Sequence, residues 1–306
     1  MMTLTDTNAG AVAAAVGAER RRMGSPAVGM VLNLLVITDE LHQADALAAA
    51  SQAAREHPMR VIGLIERPGR VDPRLDAQVR VGGDEGAGEV IACRLHGELA
   101  HHAGSVAIPL LLPDTPVVAW WPDAGPHHPA ADALGRHAQR RITDLVASTR
   151  YLEELDMRLA NYSAGDTDLS WTRTTPWRSL LAAAFDQPVG TPLRADVHVQ
   201  SRNPSGVLLA GWLHERLGVP THIHHAKAPG ISKVVIATDT GQVVLDRPDG
   251  RVAQLSLPGM PSAVVALPRR TLAELITEEL RRLDPDEVYA EALAGARHVR
   301  EAAAHA

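Results

Sequence analysis

Apolar residues fall into two spacings along this chain, and the switches between them mark most of its elements. Residues 28–37 form an almost unbroken apolar run, which predicts a strand covered on both faces. A helical spacing then continues to residue 56 and is closed by His57-Pro58. Thr38 is the expected N-cap, with Asp39 and Glu40 in the first turn, where the helix dipole favours acids. Residues 60–66 are a second apolar strand. Strand, helix and strand with short joins make a βαβ unit, so the two strands should run parallel. Upstream, residues 9–23 suit an Ala-rich helix stopped at Gly24-Ser25-Pro26, and residues 1–8 read as a loose tail.

Residues 78–81 and 89–95 are expected strands, joined like a hairpin by the glycine-rich loop 82–88. Next come a helix over 97–108, a Pro-bounded connection at 110–116 and a short strand at 117–121, stopped by Pro122. A partly helical stretch over 127–139, a strand at 141–146 and a helix over 149–160 follow. In that helix Tyr151, Leu152, Leu155 and Leu159 recur at helical spacing. Thr175 and Pro176 are placed as N-cap and first residue of a further helix, running to residue 185. Pro188, Gly190 and Pro192 then break the pattern, and a domain boundary is placed there.

Beyond the break, residues 195–200 alternate like a strand, and 205–217 form a helix ended by Gly218. Four strands follow, at 233–238, 242–246, 252–257 and 263–267, with turns at Asp239-Thr240-Gly241 and Pro248-Asp249-Gly250. Thr271 and Glu274 make a capping box. It starts a helix with the stripe Leu272, Leu275, Ile276 and Leu280, and Asp284-Pro285-Asp286-Glu287 opens the last helix. The expected class is α/β. An N-terminal tail and helix (1–26) precede a mixed-sheet domain containing the βαβ unit (27–190). A smaller α+β domain with an antiparallel meander and C-terminal helices fills 191–306.

Composition sharpens one region. Aromatic residues make up only 3% of the chain, as five Trp, three Tyr and one Phe among 306 residues. Four of the tryptophans lie in Val117-Val118-Ala119-Trp120-Trp121-Pro122 and in the stretch 168–180. An indole buries a large area while keeping an N–H donor, and Trp and Arg are common interface anchors. Trp120, Trp121, Trp171, Arg173, Trp177 and Arg178 are therefore the candidate partner-binding residues. Other readings stay open. Arg173 and Arg178, beside a helix start, could clamp an anion or stack on the indoles. Some of the indoles could brace a strand end against a helix start.

With 30 basic and 36 acidic residues the net charge is −6, which disfavours nucleic-acid binding. No polybasic segment suits anionic lipid, and no apolar run reaches the roughly 20 residues that span a bilayer. The apolar run 9–18 has no basic residue before it, unlike a signal peptide. Cys93 is the single cysteine, so no intramolecular disulfide or Cys-rich zinc site can form, and a reducing cytoplasmic setting is expected.

Catalytic signatures are wanting. The 82–88 loop is not G-x-G-x-x-G, and neither a P-loop nor G-x-S-x-G occurs. Thr221-His222-Ile223-His224-His225 would place His222 and His224 on one strand face, yet a catalytic metal needs a third ligand. His214-Glu215 begins like H-E-x-x-H but meets Gly218 in place of the second His. Cys93, near His96, His101 and His102, could be a paired nucleophile, but its apolar strand favours core packing. No catalytic residue, metal or cofactor is expected.

The Trp-rich segments also carry a resemblance. Three blocks resemble the OpcA family of glucose-6-phosphate dehydrogenase assembly proteins: Val117-Val118-Ala119-Trp120-Trp121-Pro122, then Arg140-Arg141-Ile142-Thr143-Asp144, then Asp168-Leu169-Ser170-Trp171-Thr172-Arg173-Thr174-Thr175-Pro176-Trp177-Arg178. Leu208-Leu209-Ala210-Gly211-Trp212-Leu213 and the stretch from Leu267-Pro268-Arg269-Arg270 to Asp284-Pro285-Asp286 are similar as well. The likeness runs over 28–292, and the high Ala and Arg usage is similar to that of actinobacterial members. It implies a noncatalytic cytoplasmic partner that binds and activates glucose-6-phosphate dehydrogenase, supporting the oxidative pentose phosphate pathway and NADPH supply. With only Cys93, no intramolecular thiol switch can operate. The competing expectation is a sugar-phosphate-binding α/β enzyme or metabolite sensor. The chain's own oligomeric state is not legible.

Overall fold

The computed structural model describes residues 1–24, 29–82, 88–123 and 125–304. The chain forms two compact units, one of Met1–Thr143 with Thr271–Pro285, the other of Asp144–Arg270 with Asp286–Ala306. The units thus divide after Thr143, whereas the Pro/Gly break lies near residue 190. The reason is local. The helices that precede the break bury Trp177, Leu181 and Ala184 among strand residues that follow it.

In the first unit, residues 1–8 are not a tail. β1 (Met2–Thr7) leads into α1 (Ala9–Met23), β2 (Leu32–Asp39), α2 (Gln43–Ala53), β3 (Met59–Arg67), β4 (Arg74–Val81) and β5 (Glu89–His96). β1 pairs antiparallel with β4, and Met2 and Leu4 pack on the core, which ties the terminus down. Asn8 caps α1 by accepting from the Ala11 amide, and Gly24 ends it in the left-handed region. The 97–110 stretch is a 3₁₀ turn (Gly97–His102), the short α3 (Ala103–Ala107) and a second 3₁₀ turn. β6 (Val117–Trp120) and β7 (Arg140–Thr143) follow.

Within this unit the strand order is β1-β4-β5-β3-β2-β6-β7. β2 pairs parallel with β3, from Leu32 against Met59 to Asp39 against Glu66. The βαβ unit is therefore present, and seven consecutive β2 residues are buried. Thr38 is a strand residue and not a helix cap. Its neighbour Asp39 governs the turn instead, Oδ1 accepting from the Leu41 and His42 amides at 2.9 and 2.8 Å. β4 and β5 are antiparallel as expected, while most of the glycine-rich loop joining them lies outside the described residues.

In the second unit, α4 (Tyr151–Ala160), β8 (Asp166–Asp168), α5 (Leu169–Thr172) and α6 (Thr175–Ala184) precede a six-stranded sheet. β9 (Pro192–Gln200), α7 (Pro204–Leu217) and β10 (Thr221–Ala226) form a second βαβ unit, β10 lying parallel to β9. β11 (Ile231–Thr238), β12 (Gly241–Asp246), β13 (Val252–Ser256) and β14 (Ala263–Ala266) make the antiparallel meander. The sheet order is β10-β9-β11-β12-β13-β14, so this sheet is mixed.

The chain returns to the first unit for α8 (Leu272–Glu279), which carries the capping box of Thr271 and Glu274. Arg140 holds this segment by ion-pairing with Glu279 and donating to the Asp284 carbonyl at 2.8 Å. α9 (Glu287–Ala304) belongs to the second unit, where it packs on α7. A side chain at Gly211 would collide with the α9 backbone at Ala292 and Ala296, and one at Gly295 with the Gly211 carbonyl. These glycines let the two helices approach closely. Among the described residues, no helix is long and apolar enough to cross a membrane.

Candidate functional site

The four clustered indoles are interior. Trp120, Trp121, Trp171 and Trp177 are 0%, 5%, 1% and 2% exposed. The expectation of an indole docking surface is therefore corrected: these rings brace the units from within. In the first unit Trp120 lies between paired strands, opposite Val36 of β2 and Ile142 of β7. Among the described residues its N–H has no acceptor. Trp121 joins the core beneath α1 and α3.

In the second unit Asp168 starts α5, Oδ1 accepting from the Ser170 amide at 2.8 Å. This turn aims Trp171 inward, where its Nε1 donates to Asp286 Oδ2 at 2.8 Å. Asp286 also caps α9, Oδ1 accepting from the Tyr289 amide at 3.1 Å. One carboxylate thus couples the Trp segment to the C-terminal helix. The Arg178 guanidinium lies 3.6 Å above the Trp171 ring, the stacked geometry of a cation–π contact. Its Nε and Nη2 each donate at 3.0 Å, to the Thr174 and Thr175 hydroxyls. Thr174, not Thr175, is the N-cap of α6, and it makes no side-chain capping bond. Its hydroxyl donates instead to the Trp171 carbonyl at 2.7 Å.

Arg173 grips Asp144 with both ends of its fork, at 2.7 and 2.7 Å. Burial pulls the Arg173 guanidinium down in pKa, but the Asp144 carboxylate outweighs it and holds the group above its ordinary value. Arg173 and Trp177 also line a cavity of about 230 Å³ in this unit. Arg247, Arg269 and Arg270 line it too, from the end of β12 and the segment after β14. Arg247 stacks at 4.8 Å over Trp177. Sequence reasoning missed these three arginines, although Leu267-Pro268-Arg269-Arg270 was visible as a block.

The histidine and cysteine candidates sit among defined neighbours. His222 and His224 do share a face of β10, and both turn to Asp196, at 3.7 and 2.8 Å. Desolvation pushes the Asp196 carboxyl up, but His224 and Arg194 outweigh it and hold it below the usual carboxylate range. His214 Nδ1 meets the Val219 carbonyl at 3.2 Å. His298 of α9 brings a ligand atom within 4.8 Å of those of His214 and Glu215, a neighbour the sequence spacing could not show. Cys93 is fully buried, and burial pushes its thiol up to about 12. In the folded chain, a thiol reagent should label Cys93 only as fast as the unit opens, and promptly in denaturant. Rapid stoichiometric labelling of the native chain would refute the packing reading.

Comparisons with known proteins accord with this architecture. Residues 50–160 match the family described as glucose-6-phosphate dehydrogenase subunit N-terminal domain, and 164–293 its C-terminal domain. The chain is 27% identical over 203 residues to the OxPP cycle protein OpcA of Synechocystis sp.. It is 26% identical over 195 residues to that of Synechococcus elongatus. These matches cover 63% and 60% of this chain but only 40% and 41% of the relatives. An oxidoreductase from Sinorhizobium meliloti superposes with a TM-score of 0.51 at 11% identity, covering 90% of this chain and 97% of that one. At such identity the likeness is one of fold alone. The two family matches follow one another across most of the sequence, and the chain belongs to the OpcA family of glucose-6-phosphate dehydrogenase assembly proteins.

Proposed function

We propose that this chain is a noncatalytic, cytoplasmic partner of glucose-6-phosphate dehydrogenase that raises its activity and so supports the oxidative pentose phosphate pathway. The observation that carries this reading is the pair of dehydrogenase-subunit family matches over 50–160 and 164–293. The β2–α2 turn supports the noncatalytic part. In dinucleotide-binding folds the turn after the first parallel strand offers amides to a pyrophosphate. Here the turn is free of glycine, and the Asp39 carboxylate already accepts from the Leu41 and His42 amides. A second negative group would meet repulsion there.

As a regulatory subunit, the chain would bind one conformation of the enzyme more tightly and shift its population. The segment 168–180 would act through the surface of the second unit, where Arg173 and Arg178 are half-buried. The test is steady-state kinetics of the dehydrogenase from the same organism, with this chain titrated in. A saturable rise in kcat/KM is expected, about 5- to 150-fold if the coupling has the usual size. Unchanged kinetics across the titration, with no complex on sizing, would exclude the reading.

A further inference from the structure

We propose that the arginine-lined cavity of the second unit is a binding site for a small phosphate monoester or free phosphate. This stands apart from the dehydrogenase reading and is tested on the chain alone.

The case begins with uncompensated charge. Arg247 is 6% exposed and has no carboxylate within ion-pair distance among the described residues. Its Nη1 and Nη2 donate to the Leu267 and Ile231 carbonyls at 3.0 and 2.8 Å, and among the described residues its Nε has no partner. Both partners are neutral, so the guanidinium is fixed in place without being neutralised. Burial, and then the charge of Arg269, push its pKa down to about 10. The group stays protonated at neutral pH, and its burial is a standing cost that an anion would relieve. The charge of Asp249 offsets this only in part, and its Oδ1 accepts from the Arg251 and Val252 amides.

The geometry around this charge is that of a receptor. Arg269 is exposed and, among the described residues, makes no hydrogen bond or ion pair. Gly230 brings the two arginines into one place. A Cβ there would lie 3.5 Å from Arg269 Nη2 and 3.8 Å from Arg247 Nη2, so a side chain would project at both forks. Gly230 also holds φ at +70°, which favours glycine. Ser205 lines the same cavity, is 3% exposed, and among the described residues its hydroxyl has no partner. It sits in the first turn of α7, a helix of 14 residues whose amide end favours anions.

Two unneutralised guanidiniums match the two negative charges of a phosphate monoester better than the single charge of a carboxylate. The volume of about 230 Å³ holds roughly eight waters at ~30 Å³ each. That suits a small metabolite and is below the span of most drug-sized pockets. Pro268 and Leu267 supply an apolar wall for its carbon skeleton.

The test is calorimetry and thermal denaturation of the purified chain with inorganic phosphate, glycerol 3-phosphate and acetate, at ionic strength matched with chloride. Both phosphates should bind saturably and raise Tm, and acetate should match chloride. Tighter binding of glycerol 3-phosphate would assign the site to a monoester, and equal binding to free phosphate. Arg269→Gln should weaken phosphate about tenfold, the size of one lost charge-assisted hydrogen bond. Ser205→Ala should weaken it several-fold without lowering the ligand-free Tm, because its hydroxyl makes no hydrogen bond among the described residues. Arg70→Gln, an exposed change in the first unit, should leave binding intact. Phosphate behaving like chloride, or binding Arg269→Gln as well as the unaltered chain, would overturn the proposal.

Discussion

Trp171→Ala is expected to destabilise the chain by about 3–5 kcal/mol, the range for removing a large buried aromatic. Three losses coincide. The ring leaves a void beside Tyr289, 6.1 Å away between centroids. Asp286 loses the indole N–H at 2.8 Å, and Arg178 loses the surface it stacks on at 3.6 Å. Asp286 would keep its cap on α9, so secondary structure should persist while the unit melts earlier. Trp171→Phe separates the terms, keeping a ring but not the donor, and should cost about 1–3 kcal/mol. Equilibrium urea denaturation reads both. An indole serving only to dock a partner would be exposed, and its removal would fall within about 0.5 kcal/mol of neutral.

Glu89→Gln should be as damaging, about 3–5 kcal/mol by the same measurement. Glu89 is fully buried between two guanidiniums. Arg20, from the last turn of α1, bonds Oε1 through Nε at 2.8 Å. Arg60 of β3 bonds Oε2 through Nε at 2.7 Å and passes Nη1 to the Leu110 carbonyl at 2.6 Å. Neutralising Glu89 leaves two buried or half-buried cations facing each other without their acid. Paired replacement of Glu89 and Arg60 by apolar residues should recover part of the loss, since a buried pair contributes little beyond avoiding an orphaned charge. A Glu89→Gln chain as stable as the parent would contradict the ion-pair geometry.

The parts of the fold legible in the sequence are those in which burial covers both faces or follows one clear period. β2 and β3 are near-continuous apolar runs, and no other element fits them. The capping box at Thr271 and Glu274 is a local pattern with a local cause, and it appears as expected. β1 was hidden because it reads Met-Thr-Leu-Thr-Asp-Thr, and only Met2 and Leu4 touch the core. β10 showed only in the alternation of His222 and His224. It is an edge strand of Thr, His, Ile, His, His and Ala, with polarity suited to solvent and to Asp196.

The candidate site divides along the same line. Scarcity of aromatics singled out the Trp segments, and the Arg178 stack on Trp171 was among the readings left open. Composition could not show which way the indoles faced. A strand end and a helix start flanked by polar residues look alike whether the ring points in or out. Trp171 is committed inward by Asp286, which is 115 positions away. The arginine cavity was less visible still. Arg173 comes from the chain before the meander, Arg247 from the end of β12, and Arg269 and Arg270 from the segment after β14. The turns of the sheet bring these positions together, and no spacing rule in a single sequence encodes that.

The central claim is that this chain works by engaging glucose-6-phosphate dehydrogenase. The most direct test is sizing with light scattering on a mixture of the two purified proteins, near physiological salt. The account predicts a single species whose mass equals a fixed ratio of both chains, formed equally by Arg269→Gln. Two separate peaks at the masses of the isolated proteins, across concentrations up to tens of micromolar, would contradict it.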